Sequence, residues 1–438
     1  MNAVAKLAAR AERVLVMCHS HPRLSNGGAE VSAYALFESL RAAGVEAWFL
    51  GCSRRASDER LGVGMTQPFG EGEYLYAPGE LDDFTFANRD ARYPGLLAEL
   101  LETLRPTVVH CHHYTTLGSE TFLIVKRIRP AAKLVLTLHE YYAICNNDGQ
   151  MVKAGNSRLC DGEAASDCAA CFPARSPADF FLRKSYLQSL LGDVDVFVSP
   201  SRFLASRYVA WGIPAGKVRV LENIPAAGSI GPGDTPASKT ARPLRAGFFG
   251  QISTLKGVPL LLRAARRLAE LDVKSIVIDI FGDYSNQPAE RQVLLAAALE
   301  DPGHNVAYRG AYRNAEVVRL MQSVDVVVVP SIWWENSPVV IQEAFRSRRP
   351  VVCSDIGGMA EMVRPGLDGL HFRVGDAVSL AQALLRLVDE PGLLEKLGET
   401  LAAPTNRAAA VASHRALYRD LRAERHESHD SAIGFRNE

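Results

Sequence analysis

The chain has 438 residues, too many for a single ordinary core, and this length favours about two domains. Its 49 Lys and Arg residues equal its 49 Asp and Glu residues, which excludes a net field that would draw the chain to nucleic acid. Partners must therefore be recognised at specific sites. Residues 1–10 have no apolar leader core, and no apolar run reaches the roughly 18 residues of a membrane span. We therefore expect a cytoplasmic protein.

Short β-branched runs alternate with longer amphipathic stretches, a pattern typical of parallel strands joined by helices. In the first half the predicted strands are Arg13–Cys18, Val45–Leu50, Thr107–His110, Lys133–Leu138 and Val194–Val198. In the second half they are Leu244–Phe249, Ser275–Phe281, Asn305–Tyr308, Val324–Val329 and Pro350–Cys353. The sequence thus predicts an α/β protein of two doubly wound, Rossmann-like domains with a ligand cleft between them, at the carboxyl ends of their strands.

Composition sets the predicted boundaries. Residues 1–225 form the first domain, which includes a polar, glycine-rich insertion at about 140–175. Residues 226–243 are rich in Gly, Pro, Ser and Thr and form a linker. Residues 244–403 form the second domain, residues 404–426 a helix, and residues 427–438 a frayed polar tail.

A glycine turn, Gly27-Gly28, follows the first predicted strand and precedes a predicted helix, Val31–Ala43. Its backbone N–H groups would receive a phosphate or sugar hydroxyls. A plain strand-to-helix turn explains these glycines equally well, because the fuller Gly-x-Gly-x-x-Gly pattern is absent.

A second turn, Gly250-Gln251, follows the first strand of the second domain, and Lys256 stands where the next helix begins. The Lys256 ammonium would bind a diphosphate there. The alternative is a solvated lysine, although the dipole of a helix start does not favour a cation.

The segment Glu335–Glu343 follows the buried strand Val324–Val329. Ser337 suits a helix N-cap and Pro338 the first helical position. Glu335 before that helix and Glu343 inside it would accept hydrogen bonds from two sugar-like rings. Two exposed, solvated glutamates are the alternative. The residues around the helix start that would read a hydroxyl-rich ligand are Asn336, Ser337, Pro338 and Val339.

His139 ends the strand Lys133–Leu138 on the ligand side of the sheet, where its imidazole would bind a sugar hydroxyl or a developing charge. A structural histidine explains it nearly as well. The neighbouring His110, His112 and His113 lack metal-ligand spacing and are predicted to be packing or turn residues.

Asp193 and Asp195 have an acid-x-acid spacing that can hold a divalent cation. Because they precede a buried strand, strand capping is the better interpretation. No metal enters the predicted chemistry.

Four cysteines, Cys145, Cys160, Cys168 and Cys171, lie in the insertion, and the last two have Cys-x-x-Cys spacing. They predict a structural zinc site that orders a loop too polar to form its own core. Unpaired thiols are the main alternative. A redox pair is disfavoured because it would sit at a helix start, whereas these cysteines are predicted to lie in a long loop.

The segment Pro177–Leu191 has apolar residues at helical spacing, with Arg183 and Lys184 alongside. Such a helix would contact an acceptor membrane peripherally. Packing against a sheet accounts for the same stripe more simply.

These motifs together resemble the family 4 glycosyltransferases, which are retaining enzymes of the two-domain GT-B architecture, and they follow the order of that family. The matching residues are Gly27-Gly28-x-Glu30, His139, Pro200-Ser201-Arg202-Phe203, Phe249-Gly250 through Lys256-Gly257, Glu335 with Glu343, Gly357-Gly358-x-x-Glu361, and Gly369. The cysteine-bearing insertion resembles that of a subset of the family. One position departs, since Gln251 stands where the family often has arginine.

The resemblance implies a first domain on the acceptor side and a second that binds a UDP- or GDP-sugar. It assigns Lys256 to the donor diphosphate, Glu343 to the ribose and Glu335 to the hydroxyls of the transferred sugar. His139 would face that sugar, and the Gly27-Gly28 turn the diphosphate or the acceptor. The implied acceptor is a glycan or a lipid-linked glycan, as in surface polysaccharide synthesis.

In the route that the family implies, the leaving phosphate takes the proton of the attacking hydroxyl, so positioning and charge stabilisation suffice and no cofactor is needed. An epimerase and a non-catalytic sugar-nucleotide-binding protein are the alternatives. The intact set of Lys256, Glu335 and Glu343 disfavours the non-catalytic protein.

Overall fold

The computed structural model describes residues 12–25, 27–53, 64–156, 158–225, 243–285, 287–300, 305–403 and 406–433. The chain divides into two compact units. The first unit comprises Met1–Ala227 together with Asn406–Glu438, and the second comprises Gly228–Thr405. The predicted linker lies outside the described residues except for Pro243.

The first unit is built on a sheet with the strand order β3-β4-β2-β1-β5-β6-β7-β8 in the described part of the chain. Neighbouring strands are parallel, except that β3 runs antiparallel to β4. The strands are β1 (Arg13–Met17), β2 (Glu46–Cys52), β3 (Met65–Thr66), β4 (Glu73–Tyr76), β5 (Val108–Cys111), β6 (Lys133–Thr137), β7 (Val196–Ser199) and β8 (Val218–Val220). From β1 the chain continues to β2 on one side and later to β5 on the other. The strand order therefore reverses between β1 and β5, where open α/β sheets bind ligands.

Helices of this unit alternate with its strands. They are α1 (Gly28–Ala42), α2 (Tyr93–Leu104), α3 (Thr121–Ile128), α4 (Ala165–Cys171), α5 (Pro177–Leu191) and α6 (Arg202–Trp211), with a short 3₁₀ helix at Ala215–Lys217. The helix α1 begins at Gly28 rather than at the predicted Val31, so Glu30 lies in its first turn. In part of the core, Leu36 and Phe37 of α1 are buried with Val14 of β1.

The second unit has a parallel sheet in the order β11-β10-β9-β12-β13-β14. The strands are β9 (Leu244–Phe249), β10 (Ile276–Phe281), β11 (Val306–Gly310), β12 (Val326–Val329), β13 (Val351–Ser354) and β14 (Gly369–Phe372). The helices are α7 (Val258–Glu270), α8 (Ala289–Glu300), α9 (Val317–Gln322), α10 (Val339–Arg346), α11 (Gly357–Met362), α12 (Ala377–Asp389) and α13 (Leu393–Glu399), with a 3₁₀ helix at Asn314–Glu316. Here the strand order reverses between β9 and β12.

Side-chain alternation along β12 explains why helices cover both faces of this sheet. Val326 and Val328 belong to one buried cluster, and Val327 and Val329 belong to another. Successive residues of a strand point to opposite faces, so an all-valine strand needs an apolar layer on each side.

The C-terminal helix, α14 (Arg407–Ile433), belongs to the first unit. Its Val411, Tyr418 and Leu421 are part of the same buried cluster as β1 and α1. It runs past residue 426, where the sequence predicted a frayed tail to begin, and residues 434–438 lie outside the described part. None of the helices that the structure describes is long and apolar enough to cross a membrane.

The acids that directly precede β7 and β12 each bond to a neighbouring strand. Asp195 Oδ2 accepts hydrogen bonds from Lys126 Nζ at 2.5 Å and from the backbone N–H of Leu134 at 2.6 Å. In the second unit Asp325 Oδ2 likewise accepts from the N–H of Arg245 at 2.8 Å. Asp195 is therefore used inside the sheet, as the strand-capping interpretation predicts.

Candidate functional site

In the second unit, the loops that follow β9 and β12 meet where the strand order reverses. The N–H of Ile332 donates to the carbonyl of Leu255 at 2.8 Å, which ties the two loops together. Gly257 has a φ of +78°, and a Cβ there would lie 1.8 Å from the carbonyl oxygen of Pro330. Only glycine fits this contact, so the turn that carries Lys256 is fixed against the loop after β12.

Lys256 and Glu335 form an ion pair, with 2.6 Å between Nζ and Oε1. The same Glu335 oxygen accepts from Ser331 Oγ at 2.8 Å and from Trp333 Nε1 at 3.0 Å. The ammonium also lies 5.6 Å from the centre of the Trp333 ring. Glu335 is only 6% exposed, so neither residue is the freely solvated side chain of the alternative interpretation.

The arrangement leaves one face of the Glu335 carboxylate for a ligand. Oε1 accepts all three protein donors, whereas Oε2 has no hydrogen-bond partner among the described residues. A carboxylate oxygen held in this way accepts a hydrogen bond from a hydroxyl without reorganisation.

The turn Gly357-Gly358 at the start of α11 holds the Glu335 loop from the other side. The N–H of Gly358 donates to the carbonyl of Glu335 at 2.6 Å. A Cβ on Gly358 would lie 1.8 Å from the carbonyl oxygen of Asn336. This predicted glycine turn therefore positions the Glu335 loop, a contact that its sequence did not indicate.

The start of α10 differs from the prediction by one residue. The helix begins at Val339, and Pro338 occupies the N-cap position without a side-chain cap. Ser337 is therefore not the N-cap; its hydroxyl lies 3.8 Å from the sulfur of Met362. Pro338 has a ψ of 118°, an extended conformation that excludes it from the first turn.

Glu343 lies inside α10 and is not an exposed glutamate. Burial raises the pKa of its carboxyl from 4.5 to about 7, against a smaller lowering by Arg346. Its charge also helps to raise the pKa of Tyr312. Glu343 therefore takes up a proton near neutral pH more readily than an ordinary glutamate.

The backbone of the turn after β9 is not crowded by neighbouring atoms at Gly250. Gly250 has a φ of +140°, and a Cβ there would have no atom within 4 Å, so its conformation and not crowding requires glycine. Gln251 beside it is exposed.

In the first unit, polar side chains follow the three neighbouring strands β1, β5 and β6 at the edge where the strand order reverses. They are His19 after β1, His112 and His113 after β5, and His139 and Glu140 after β6. Because parallel strands end at the same edge, five titratable groups gather there.

His139 is a neutral imidazole within this group. Its Nε2 lies 3.1 Å from Nδ1 of His112, so one ring donates to the other. Burial, and to a smaller extent the charge of His19, lower the pKa of His139 to about 3. His110 and His112 are fully buried, as expected of packing residues.

Two His–Glu pairs at this edge were not predicted. His19 Nε2 lies 3.3 Å from Glu30 Oε1, and His113 Nε2 lies 3.3 Å from Glu140 Oε1. Glu140 had a signal in the sequence, since it directly follows a strand end, as His139 does. The histidine partner of each glutamate lies on a different segment of the fold. A local sequence pattern therefore cannot reveal the pairing.

The role of Gly27 follows from Glu30. A Cβ on Gly27 would lie 2.4 Å from Glu30 Oε2, and Glu30 is itself held by His19. This packing accounts for a glycine at position 27. Contact of Gly27 and Gly28 with a phosphate stays a prediction.

The four cysteines of the insertion are all partly buried. Within the described ranges, no group of three or more His, Cys, Asp or Glu side chains is arranged to hold a metal ion. Cys160 Sγ instead donates to the carbonyl of Gly162 at 3.2 Å. The zinc site thus stays a prediction without support from this geometry.

The Cys-x-x-Cys pair was predicted to lie in a long loop, and this prediction was wrong. Cys168 and Cys171 both lie in α4. Burial nevertheless raises the pKa of Cys168 to about 11. A thiol that stays protonated is a poor redox nucleophile, so the pair still lacks the chemistry of a redox site.

Arg183 of α5 does not face outward, as a membrane-binding role would require. It is 1% exposed and donates to the carbonyls of Phe84, Tyr142 and Ala143 at 2.5–2.7 Å. The exposed residues of this helix include Phe181 and Leu182 instead.

Comparison with known families gives two adjacent matches. Residues 26–224 match the family described as Glycosyltransferase Family 4, and residues 237–402 match Glycosyl transferases group 1. The first match covers the edge that carries His139, and the second covers Lys256, Glu335 and Glu343.

Curated relatives agree with these matches. A D-inositol 3-phosphate glycosyltransferase of Nocardia farcinica is 30% identical over 38% of this chain and 39% of its own length. One of Kribbella flavida is 26% identical over 67% of this chain and 65% of its own length. The chain thus matches about two fifths of the first relative and just under two thirds of the second.

Solved structures show the same fold. Sucrose-phosphate synthase from Thermosynechococcus elongatus superposes with a TM-score of 0.67 at 18% identity, over 94% of this chain and all of that one. Anabaena HepE, solved in complex with UDP and glucose, gives a TM-score of 0.60 at 16% identity, over 96% of this chain and all of that one. Two parallel-sheet α/β domains of GT-B type, with both halves matched to glycosyltransferase families, lead to one conclusion: the chain belongs to the family 4 glycosyltransferases.

Proposed function

We propose that the chain transfers a sugar from a nucleotide-diphosphate donor, a UDP- or GDP-sugar, to a hydroxyl of a glycan or glycolipid acceptor, with retention of anomeric configuration. The observation that carries the proposal is the Lys256–Glu335 pair at the edge where the strand order of the second unit reverses. A cation and a hydroxyl-accepting carboxylate stand together there, as sugar-diphosphate chemistry requires.

Donor binding would exchange the partner of Lys256. The ammonium moves from Glu335 to the donor diphosphate, where it stabilises the charge that develops as the nucleotide leaves. Glu335 keeps its hydrogen bonds from Ser331 and Trp333 on Oε1 and accepts from the hydroxyls of the sugar through Oε2. Because binding breaks one ion pair to make another, the gain is largest in the transition state.

Glu343 would bind the ribose hydroxyls of the nucleotide. A buried carboxyl with a pKa of about 7 is ionised above neutral pH and then accepts two hydrogen bonds from a vicinal diol. The turn at Gly250 and Gln251 and the loop from Asn336 to Val339 would supply backbone contacts to the donor.

Charge neutralisation in this proposal rests on Lys256 and on helix starts and needs no divalent cation. Of the acid-x-acid pair Asp193 and Asp195, Asp195 is occupied by Lys126 and the backbone of Leu134. His139, as a neutral imidazole, would donate or accept a hydrogen bond at the transferred sugar. The acceptor hydroxyl loses its proton to the leaving phosphate oxygen as the new glycosidic bond forms.

We place the reaction in the cytoplasm, at the inner face of the membrane if the acceptor is lipid-linked, and in the assembly of a surface polysaccharide or glycoconjugate. Membrane contact would be made by the exposed Phe181 and Leu182 of α5. Flotation with anionic liposomes, compared with Phe181→Ser/Leu182→Ser, tests this contact; equal flotation contradicts it.

A thermal-shift screen of sugar nucleotides identifies the donor, since a bound ligand raises the melting temperature. Calorimetry of the free nucleotide then compares Glu343→Ala, Glu335→Ala and the exposed control Glu270→Ala. We expect Glu343→Ala to weaken nucleotide binding about tenfold, whereas Glu335→Ala affects sugar transfer. If both variants bind nucleotide like the parent, the ribose assignment is wrong.

The anomeric configuration of the product is read from its proton NMR couplings. An α-linked product from an α-linked donor supports retention, and a β-linked product contradicts it. Formation of a new sugar nucleotide without acceptor would identify an epimerase instead.

A further inference from the structure

Glu140 is a carboxylate fixed at the reversal edge of the first unit. Nε2 of His113 lies 3.3 Å from its Oε1, and the backbone N–H of Tyr142 donates a hydrogen bond to its Oε2. The hydroxyl of Tyr208 donates to its carbonyl oxygen at 3.0 Å. With 18% of its side chain exposed, the carboxylate is held in place and still reaches the surface.

The hydrogen bonds that Nδ1 of His113 accepts determine the tautomer of this ring. Its Nδ1 accepts from the backbone N–H of Tyr114 at 3.1 Å and from that of Thr115 at 3.3 Å. The ring proton therefore sits on Nε2, which lies 3.3 Å from Glu140 Oε1. Burial keeps the pKa of His113 well below its usual value, so the ring is neutral and does not cancel the charge of the carboxylate.

The two cations whose charges act on Glu140 already interact with other groups of the protein. Burial raises the pKa of Glu140 to about 7, and only His19 and Arg183 oppose this with their charges. His19 is paired with Glu30, and three nitrogens of Arg183 donate to backbone carbonyls. His139 and His113 are neutral. Above neutral pH, a ligand beside Glu140 therefore meets a carboxylate whose charge neither His19 nor Arg183 is free to offset.

We propose that Glu140 is a specificity-determining residue that binds hydroxyls of a neutral sugar or polyol acceptor and disfavours an acceptor with a phosphate or sulfate group at this edge. This inference rests on the proposed function, because it assigns the acceptor to the first unit. The carboxylate accepts from the N–H of Tyr142 and can accept further hydrogen bonds from hydroxyls, whereas an anion would be repelled because neither His19 nor Arg183 is free to offset the charge of Glu140.

Saturation-transfer NMR with the full chain at pH 8 tests the proposal without the donor. The probes are the methyl glycosides of glucose, galactose, mannose and N-acetylglucosamine, each with its 6-sulfate. We expect at least one neutral probe to bind about tenfold more tightly than its sulfate. Glu140→Ala should weaken that neutral probe about tenfold, and Glu140→Gln should reduce the preference over the sulfate to less than threefold.

The matched control is Glu73→Gln, because Glu73 also pairs with a histidine, His21, at 3.0 Å, in a pocket of aromatic rings elsewhere in the first unit. This variant should keep the affinities and the preference of the parent. Equal or tighter binding of the sulfates, an unchanged preference in Glu140→Gln, or no binding of any neutral probe would each overturn the inference. Nucleotide binding in the same samples reports on Lys256 and Glu343, so failure of the donor proposal is seen separately.

Discussion

Lys256 and Glu335 show what residue types and their spacing can predict. Each was predicted at a strand's carboxyl end with a charge suited to a sugar diphosphate. Their 2.6 Å ion pair was not predicted, because the two residues are 79 positions apart and meet only through adjacent strands. The same limit applies to His113 and Glu140, whose pairing depends on the order of β5 and β6 in the sheet.

Glu343 should make stability depend on pH. Its folded pKa of about 7 exceeds the ordinary value of 4.5, so the folded state holds the proton more tightly. Folding is then weakened as pH rises from about 4.5 to 7, and it stays weakened above. Glu343→Gln cannot ionise, so we expect it to be about 1–3 kcal/mol more stable than the parent at pH 8 and equal to it at pH 4.

Urea unfolding at both pH values measures this difference, with the surface substitution Glu270→Gln as control. A Glu343→Gln variant that is less stable than the parent at pH 8 would show that the ionised carboxylate stabilises the fold.

At the scale of elements, periodicity located most strands and helices, but it did not predict which side chains of every helix are buried. The segment Pro177–Leu191 was predicted with the bounds that the structure shows. The membrane hypothesis required Arg183 on this helix to be exposed. A hydropathy pattern cannot reveal that its guanidinium donates to three backbone carbonyls. The strands β4 and β14 were missed because neither contains a run of β-branched residues, the signal that located the equally short β12.

Arg183→Met should destabilise the first unit. It keeps much of the side-chain volume but leaves the carbonyls of Phe84, Tyr142 and Ala143 without their donor. We expect a loss of about 2–4 kcal/mol in unfolding free energy, because the buried acceptors lose a charged partner. Lys184→Met, on the same helix and only half-buried, should cost less than about 0.5 kcal/mol. Equal losses of unfolding free energy for the two variants in urea would mean that the hydrogen bonds of Arg183 do not stabilise the first unit.

The zinc hypothesis for the insertion is decided by metal analysis. Protein purified without added zinc should contain about one zinc ion per chain, lost in Cys168→Ser/Cys171→Ser, since four thiolates form a closed tetrahedral site. Four thiols that all react with a thiol reagent in metal-free parent protein would identify them as ordinary cysteines.

At the scale of the whole molecule, chain length and the alternation of strand and helix patterns predicted two α/β domains, and the structure confirms two units with largely parallel sheets. The return of the C-terminal helix to the first unit could not be predicted. It depends on contacts such as that between Tyr418 and His110, 308 residues apart in the chain. An amphipathic stripe indicates that a helix is covered but not by which domain.

Tyr418→Phe should destabilise the first unit and leave the stability of the second unit unchanged. The Tyr418 hydroxyl lies 2.5 Å from Nδ1 of His110, and both side chains are fully buried. Removal leaves a buried ring nitrogen unpaired, at a cost of about 1–3 kcal/mol. Hydrogen exchange should accelerate in peptides of β1, β5 and β6 and stay unchanged in those of β9 and β12. Tyr308→Phe in the second unit is the control, and acceleration in both units would contradict two separate cores.

Nucleotide release from the matching sugar nucleotide, by the parent and by Lys256→Ala, shows whether Lys256 acts in sugar transfer. We expect the variant to turn over at least about 100-fold more slowly, because Lys256 stabilises charge on the leaving diphosphate. Its melting temperature should fall by only a few degrees, since Glu335 keeps Ser331 and Trp333 as donors. Equal turnover by the two proteins would exclude Lys256 from the site and contradict its role in the transfer.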